Sequence, residues 1–239
     1  MRFLVPLLAL ISWQISASLM HVHYFPTPIT ALAALFEDFN TGELIKDLNS
    51  SAYRFTIGVS IGITTSIIFG TLIGRFKSVR TLLMPSLDGL RAMPVVALFP
   101  LIIMLFGINE TTAIFIIAFV SFVPTLITTV DSIQDTFNKY QSLIRNLNLS
   151  FVESVRKILI PGSMPGILSG VDLSVNQAFK ALILAELLGV HSGIGFRLAE
   201  AAEFLSYNKV YYLLMLIGAV GILISFSFGR IRNFILRWS

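Results

Sequence analysis

The chain has no cysteine. This excludes a disulfide framework, a thiol nucleophile and any thiolate-ligated metal, and it leaves the redox compartment undetermined. Charge is scarce as well: 13% of the 239 residues are Asp, Glu, Lys or Arg, against 55% apolar. A soluble globular chain of this length does not carry that balance. The basic residues are spread over the polar connections, so the net charge of +4 gives no nucleic-acid footprint. No Gly-x-x-x-x-Gly-Lys-Ser/Thr loop is present, and nothing here is built to cradle and hydrolyse a nucleoside triphosphate. His21 and His23 stand close together without further ligand types nearby, which reads as two interfacial histidines rather than a metal site. Neither a catalytic constellation nor a metal set is expected.

What the chain does have is long apolar runs. They read as six membrane spans at about 3–19, 55–74, 82–106, 111–130, 166–188 and 210–228, an all-α polytopic protein with one transmembrane domain over 1–239. The first run follows Arg2 and ends in Ser16, Ala17 and Ser18, so it fits an uncleaved anchor or a cleaved signal peptide; the anchor keeps the set of six complete. Between the first two spans, Thr27-Pro28 predicts a helix start, Leu32, Leu35, Phe36 and Phe39 share one face, and Gly42 ends it. Gly58, Gly62, Gly70 and Gly74 form two Gly-x-x-x-Gly pairs in the second span, which predicts a close helix neighbour. Pro85, Pro94 and Pro100 interrupt 82–106, which predicts a kinked or partly re-entrant segment. Taken as a crossing, it puts the basic 139–157 stretch on the same side as Arg75, Lys77, Arg80 and the Arg230–Arg237 tail. The positive-inside rule then makes that side, and both termini, cytoplasmic. Pro124 predicts a kink in the fourth span.

Two stretches carry candidate chemistry. The first is the polar island Tyr140 to Pro165, within the cytoplasmic connection 131–165 between the fourth and fifth spans. Tyr140, Leu143, Ile144 and Leu147 recur at helical spacing, Asn146 and Asn148 suit a helix end, and Ser150-x-x-Glu153 has the form of a capping box. A second amphipathic piece then carries Phe151, Val155, Ile158 and Leu159, and Pro161 and Pro165 are expected to stop it. This is a helix-turn-helix suited either to docking a soluble partner or to lying on the membrane surface. The second stretch is the fifth span. At ~100° per residue, Asp172, Asn176, Lys180 and Glu186 fall on one face, and charges at that depth need protein or water rather than lipid around them. The stripe reads as a translocation path or as helix ties. For Asp172, near the end of the span, headgroup contact and a path role stand equally open. Asn176 suits interhelical bonding, Lys180 near the middle is the candidate to meet a substrate, and Glu186 suits bonding of the outer loop.

The 140–165 stretch resembles the "EAA" loop of ATP-binding-cassette importer permeases. Ser142-Leu143-Ile144 stand where that family has Glu-Ala-Ala, Asn148 where it has the turn Gly, and Ile158-Leu159-Ile160-Pro161 where it has Ile-x-Leu-Pro. The likeness extends over nearly the whole chain. Phe25-Pro26-Thr27-Pro28, Gly42-Glu43-Leu44, Arg91-Ala92-Met93-Pro94, Ala185-Glu186-Leu187-Leu188-Gly189 and Ser192-Gly193-Ile194-Gly195 follow in the order of the permeases for nitrate, sulfonates, taurine and, in some members, the pyrimidine precursor of thiamine. Pro6, Trp13 and Gln14 sit where that family has its first helix.

The resemblance implies a type I importer permease fold and a homodimer in the bacterial cytoplasmic membrane. It also implies a cytoplasmic ATPase docked on a loop carrying Ser142, Leu143, Ile144, Asn148, Leu149, Ser150, Phe151, Glu153 and Pro161, and a solute-binding protein outside. The chain itself holds no cofactor, since ATP and its magnesium belong to the ATPase. A small anion or a thiamine-precursor-like heterocycle would pass by alternating access. Asp172 stands where the family commonly has a basic residue, and Lys180 where an apolar one is usual. An ion-coupled secondary transporter and a non-transporting membrane scaffold are the other classes weighed; the first gives the central loop no task, and the second leaves the fifth-span charges unexplained except as helix ties.

Overall fold

The computed structural model describes residues 4–20 and 22–237; Arg2, Phe3 and His21 lie outside them. Every regular element among the described residues is helical: α1 (Leu4–Met20), α2 (Pro28–Thr41), α3 (Glu43–Arg75), α4 (Lys77–Ala92), α5 (Phe99–Phe106), α6 (Glu110–Asn146), α7 (Phe151–Ser154), α8 (Ile160–Gly189), α9 (Ile194–Glu203) and α10 (Tyr207–Ile235). Four stretches are long and apolar enough to cross a membrane: Glu43–Arg75, Glu110–Asn146, Phe151–Gly189 and Tyr207–Ile235. The first expected span is apolar but shorter, with 17 residues in α1.

The expected 82–106 span is not one helix. Pro85 is carried inside α4, but the helix ends at Ala92 and Met93 is extended (φ −78°, ψ 129°). Pro94 accounts for the break, because its ring disfavours helical backbone at the residue before it. A 3₁₀ turn, Val95–Leu98, leads into the eight-residue α5, where Pro100 sits in the first turn and loses no helical bond.

The chain divides into two compact units. One comprises Met1–Tyr53 with Ile183–Ile222. Its core gathers Ala31, Leu44, Ala201, Tyr212 and Leu213. Thr27 caps α2 with Pro28 at the first helical position, and Gly42 closes it in the left-handed conformation (φ 76°), as the sequence predicts. Trp13 packs on Tyr211 with ring centroids 5.6 Å apart, and its indole N–H donates to the Pro26 carbonyl.

The other unit comprises Arg54–Leu182 with Leu223–Ser239, and α6 runs through its middle. Cβ atoms added at Gly58 and Gly70 of α3 would each stand 2.7 Å from a Cβ of α6, that of Ile117 or Thr129. The Gly-x-x-x-Gly pairs are therefore the face on which α3 closes against α6. A second small-residue stripe on α8 (Gly162, Gly166 and Gly170) lies against Thr136, Ser132 and Thr128 of the same helix. Thr125 and Ser174 share a buried hydroxyl bond of 2.7 Å across that contact. Backbones this close let dispersion and interhelical hydrogen bonds hold helices where lipid supplies no hydrophobic drive. At one end of α6, fully buried Arg54 grips Glu110 through Nε and Nη2, both at 2.6 Å.

Residues 131–146 continue α6 without interruption, and no Gly or Pro occurs from 125 to 160. One expectation about 131–165 is corrected: Pro161 and Pro165 do not stop the helix, and α8 runs through both. The turn of π-helix at Val155–Leu159 explains the first, since the Ile160 N–H reaches back five residues to the Val155 carbonyl. That widened turn makes room for a ring that would otherwise clash with the preceding turn.

Candidate functional site

A 37-residue helix is ~55 Å long, against ~30 Å of hydrocarbon. α6 therefore overshoots the membrane by several turns, and the α7–α8 stretch of 39 residues does the same. Between them stands a helical hairpin whose non-helical tip is only 147–150. Asn148 adopts φ 47°, the left-handed turn expected where the EAA family has glycine. The Ser150 hydroxyl accepts from the Glu153 N–H, the Glu153 carboxylate accepts from the Ser150 N–H, and the capping box is complete. Lys157 Nζ adds a 2.9 Å ion pair to Glu153.

The hairpin is pinned from within by Ile144 and Leu159, which pack with Ile133 and, half-buried, Leu149. Of the family-matched positions, Ile144 thus faces inward, while Ser142, Leu143, Asn148 and Ser150 face out and Pro161 sits half-buried at the base. Phe151 stacks on Phe76 at 5.5 Å and stays 39% exposed. Leu147 (58%) and Val152 (69%) are the more open apolar side chains at the tip. Neighbouring apolar side chains left open together at the tip of a polar hairpin are the kind of patch that marks an interaction surface.

The fifth-span stripe does not act as one face. Asp172 accepts from Arg232 Nη1 at 3.3 Å, and Asn176 accepts from Ser225 Oγ at 2.6 Å while its amide donates to the Asp172 carbonyl. These two are brought together, turned toward α10. Glu186 belongs to the other unit. There its carboxylate accepts from Ser51 Oγ and from the Gly195 N–H at 2.9 Å, which fixes the 193–195 loop. Asp47 and Ser51 hold the neighbouring Gly193 and Ile194 N–H groups.

Lys180 lines a cavity. The cavity holds about 500 Å³ and is walled by α4 and its exit (Leu90, Met93, Pro94), by α6 (Val123, Thr128, Asp131) and by Leu173, Gln177 and Lys180 of α8. Among the described residues neither the Lys180 ammonium nor the Gln177 amide has a bonded partner, so both are available to a guest. A mostly apolar chamber of this size with few convergent polar groups is the usual form of a small-molecule site. Gln177, Thr128 and Asp131 were not singled out in the sequence. Gln177, a second amide beside Asn176, gave a usable signal; Thr128 and Asp131 gave none, because their side of α6 becomes significant only once α8 packs beside it.

The unit containing Glu186 also holds a buried ion cluster. Arg197 donates to Asp47 at 2.6 Å and to Asp38 and Glu43 at 3.2 Å each, and Lys209 reaches Asp38 at 2.8 Å. The Tyr212 hydroxyl donates a short bond to Asp38. Burial works against the Asp38 charge, and the Lys209 and Tyr212 bonds outweigh it, so its carboxyl lies below 3.8.

This fold is shared with solved importer structures. The MetNI methionine ABC transporter in an inward-facing form gives a TM-score of 0.68 over 82% of this chain and 97% of that one, at 15% identity. An amino acid ABC transporter solved with histidines gives 0.65 over 85% and 97%, at 16% identity. The class is therefore the type I importer permease fold. Residues 62–238 match the family model for the binding-protein-dependent transport system inner membrane component, and the chain belongs to that family. It is similar to the SsuC permease named for aliphatic sulfonates transport in Bacillus subtilis, with 32% identity over 98% of this chain and 86% of that one. NrtB, a nitrate import permease protein of Synechococcus elongatus, is 28% identical over 88% and 80%, and TauC, of the taurine transport system of Escherichia coli, 24% over 90% and 80%. The chain is thus a membrane-embedded permease component rather than an enzyme.

Proposed function

We propose that this chain, as a homodimer, is the permease of an ATP-driven importer for a small sulfonate-like or nitrate-like anion. The observation that carries the reading is the hairpin, which stands beyond the apolar zone on two overlong helices with Leu147, Phe151 and Val152 open at its tip. A cytoplasmic ATPase covers those side chains, and the capping box and the inner Ile144–Leu159 packing make the hairpin stiff enough to transmit its movement. ATP binding supplies differential free energy between the inward and outward states, which any such switch requires. A solute-binding protein delivers substrate outside, and the solute passes the Lys180 cavity. The bare ammonium of Lys180 attracts the anion, and Gln177 offers it an amide donor. The relatives named for sulfonates, nitrate and taurine support an anionic or zwitterionic cargo. The basic residues of 139–157 support a cytoplasmic hairpin and cytoplasmic termini.

The test is co-purification of the tagged chain from its native membranes, wild type beside Leu147→Asp/Val152→Asp. Both positions are exposed, so the variant keeps its fold. An ATPase recovered with the wild type and lost from the variant is the expected result. Equal recovery with both, or no ATPase with either, refutes the assignment of the hairpin.

A further inference from the structure

A second recess lies away from the Lys180 cavity, between the α3–α4 turn and the far end of α6. It holds about 610 Å³, is lined by Arg75, Lys77 and Arg80 on one side and by Gln134, Asn138 and Gln141 on the other, and has no carboxylate in its wall. The three amide residues fall at i, i+4 and i+7, one face of α6. An adjoining recess shares Arg75 and Gln141 and adds Arg145. The cations are poorly neutralised. Among the described residues Arg80 pairs only with Asp131, 3.5 Å away, and the buried Nε atoms of Arg75 and Arg80 have no hydrogen-bond partner. Arg75 is held in place with its guanidinium 4.0 Å from the Phe137 ring centroid. In addition, α4 begins at Lys77 with no side chain capping it, so the first N–H groups of that helix add partial positive charge at the same wall.

We infer that this cleft binds a phosphate group, carried by an anionic phospholipid headgroup or by free phosphate. Guanidinium forks match phosphate oxygens in pairs, and the amides of α6 supply neutral donors for the rest. Basic pockets between membrane helices at headgroup level are the usual seat of such lipids. The rim provides for the acyl chains as well. Phe76 (44%), Val79 (38%), Leu82 (76%) and Leu83 (37%) are exposed beside the cleft, and Val79, Leu82 and Leu83 share one side of α4 at i, i+3 and i+4. A free anion needs only the cations, whereas a phospholipid uses both features.

The absence of cysteine makes the test direct. The full-length chain carrying Ser78→Cys is labelled with an environment-sensitive fluorophore in non-ionic detergent. It is titrated at constant ionic strength with phosphatidylglycerol, phosphatidylcholine or inorganic phosphate. A saturable response to phosphatidylglycerol, weaker by roughly fivefold for each of Lys77→Gln and Arg80→Gln and unchanged in Arg230→Gln, is expected. Lys77 is exposed, so its loss does not threaten folding. A response to inorganic phosphate alone assigns the site to the free anion; a response to phosphatidylglycerol without one to phosphate assigns it to lipid. No response to either, an equal response to phosphatidylcholine, or a response that needs a bound ATPase and no phosphate overturns the inference.

Discussion

Replacing Arg197 by Met removes the hub of the buried ion cluster at little change in side-chain length. The guanidinium is 10% exposed and faces Asp47 (12%), Asp38 (5%) and Glu43 (66%). Glu43 can turn to solvent and Asp38 keeps Lys209 and Tyr212, so the loss falls on Asp47, whose remaining partner is the Gly193 N–H. Stranding a buried carboxylate costs about 3–5 kcal/mol. Neutralising the stranded group with a second substitution, Asp47→Asn, should recover about 1–3 kcal/mol of that as coupling energy. The measurement is unfolding of the four proteins of the cycle in mixed micelles by increasing SDS. The same cluster sets an acid limit. The Asp38 pKa is lowered from 3.8, so its contribution is complete above that value and is lost as pH falls through the lower folded one. A loss below ~0.5 kcal/mol for Arg197→Met, the scale of an ordinary surface change, with no coupling to Asp47, would refute the reasoning.

Lys180→Met should raise the concentration of anionic substrate needed for half-maximal uptake by roughly 10- to 100-fold, as losing a hydrogen bond to a charged group of ~1.5–3 kcal/mol implies; unaltered substrate affinity would remove Lys180 from the path. Gly70→Val should cost at least ~1–3 kcal/mol through overpacking against Thr129, while Gly218→Ala, whose Cβ meets nothing within 4 Å, should stay within ~0.5 kcal/mol. Asn148→Val should destabilise the hairpin by ~1–2 kcal/mol, the ordinary penalty of the left-handed conformation, and Asn148→Gly should not; trypsin sensitivity of the 139–157 stretch reads the difference.

Much of the fold was legible because its signals are local. The Thr27 cap and Pro28, Gly42 with its positive φ, the Asn148 turn and the Ser150–Glu153 capping box each follow from a few adjacent residues, and the spacing of Gly58 to Gly74 announced a close neighbour without naming α6. What failed was the reading of one boundary. Pro161 suggested a stop, yet a π-turn upstream absorbed its missing N–H. The candidate site was legible in part. A helical wheel places Asp172, Asn176 and Lys180 within 80°, but the packed neighbours cut that arc in two, giving Asp172 and Asn176 to α10 and Lys180 to the cavity. Asp131 and Thr128 stand about fifty residues earlier in the chain, and only packing brings them to the same wall.

The central claim is tested most directly by uptake into proteoliposomes holding this chain and the ATPase that co-purifies with it, with binding protein outside and ATP inside. The tracers are labelled nitrate, taurine and a short alkanesulfonate. Uptake of one tracer that requires ATP and persists with a proton uncoupler is the predicted result. Uptake that ignores ATP and collapses with the uncoupler would contradict it and make the chain an ion-coupled carrier.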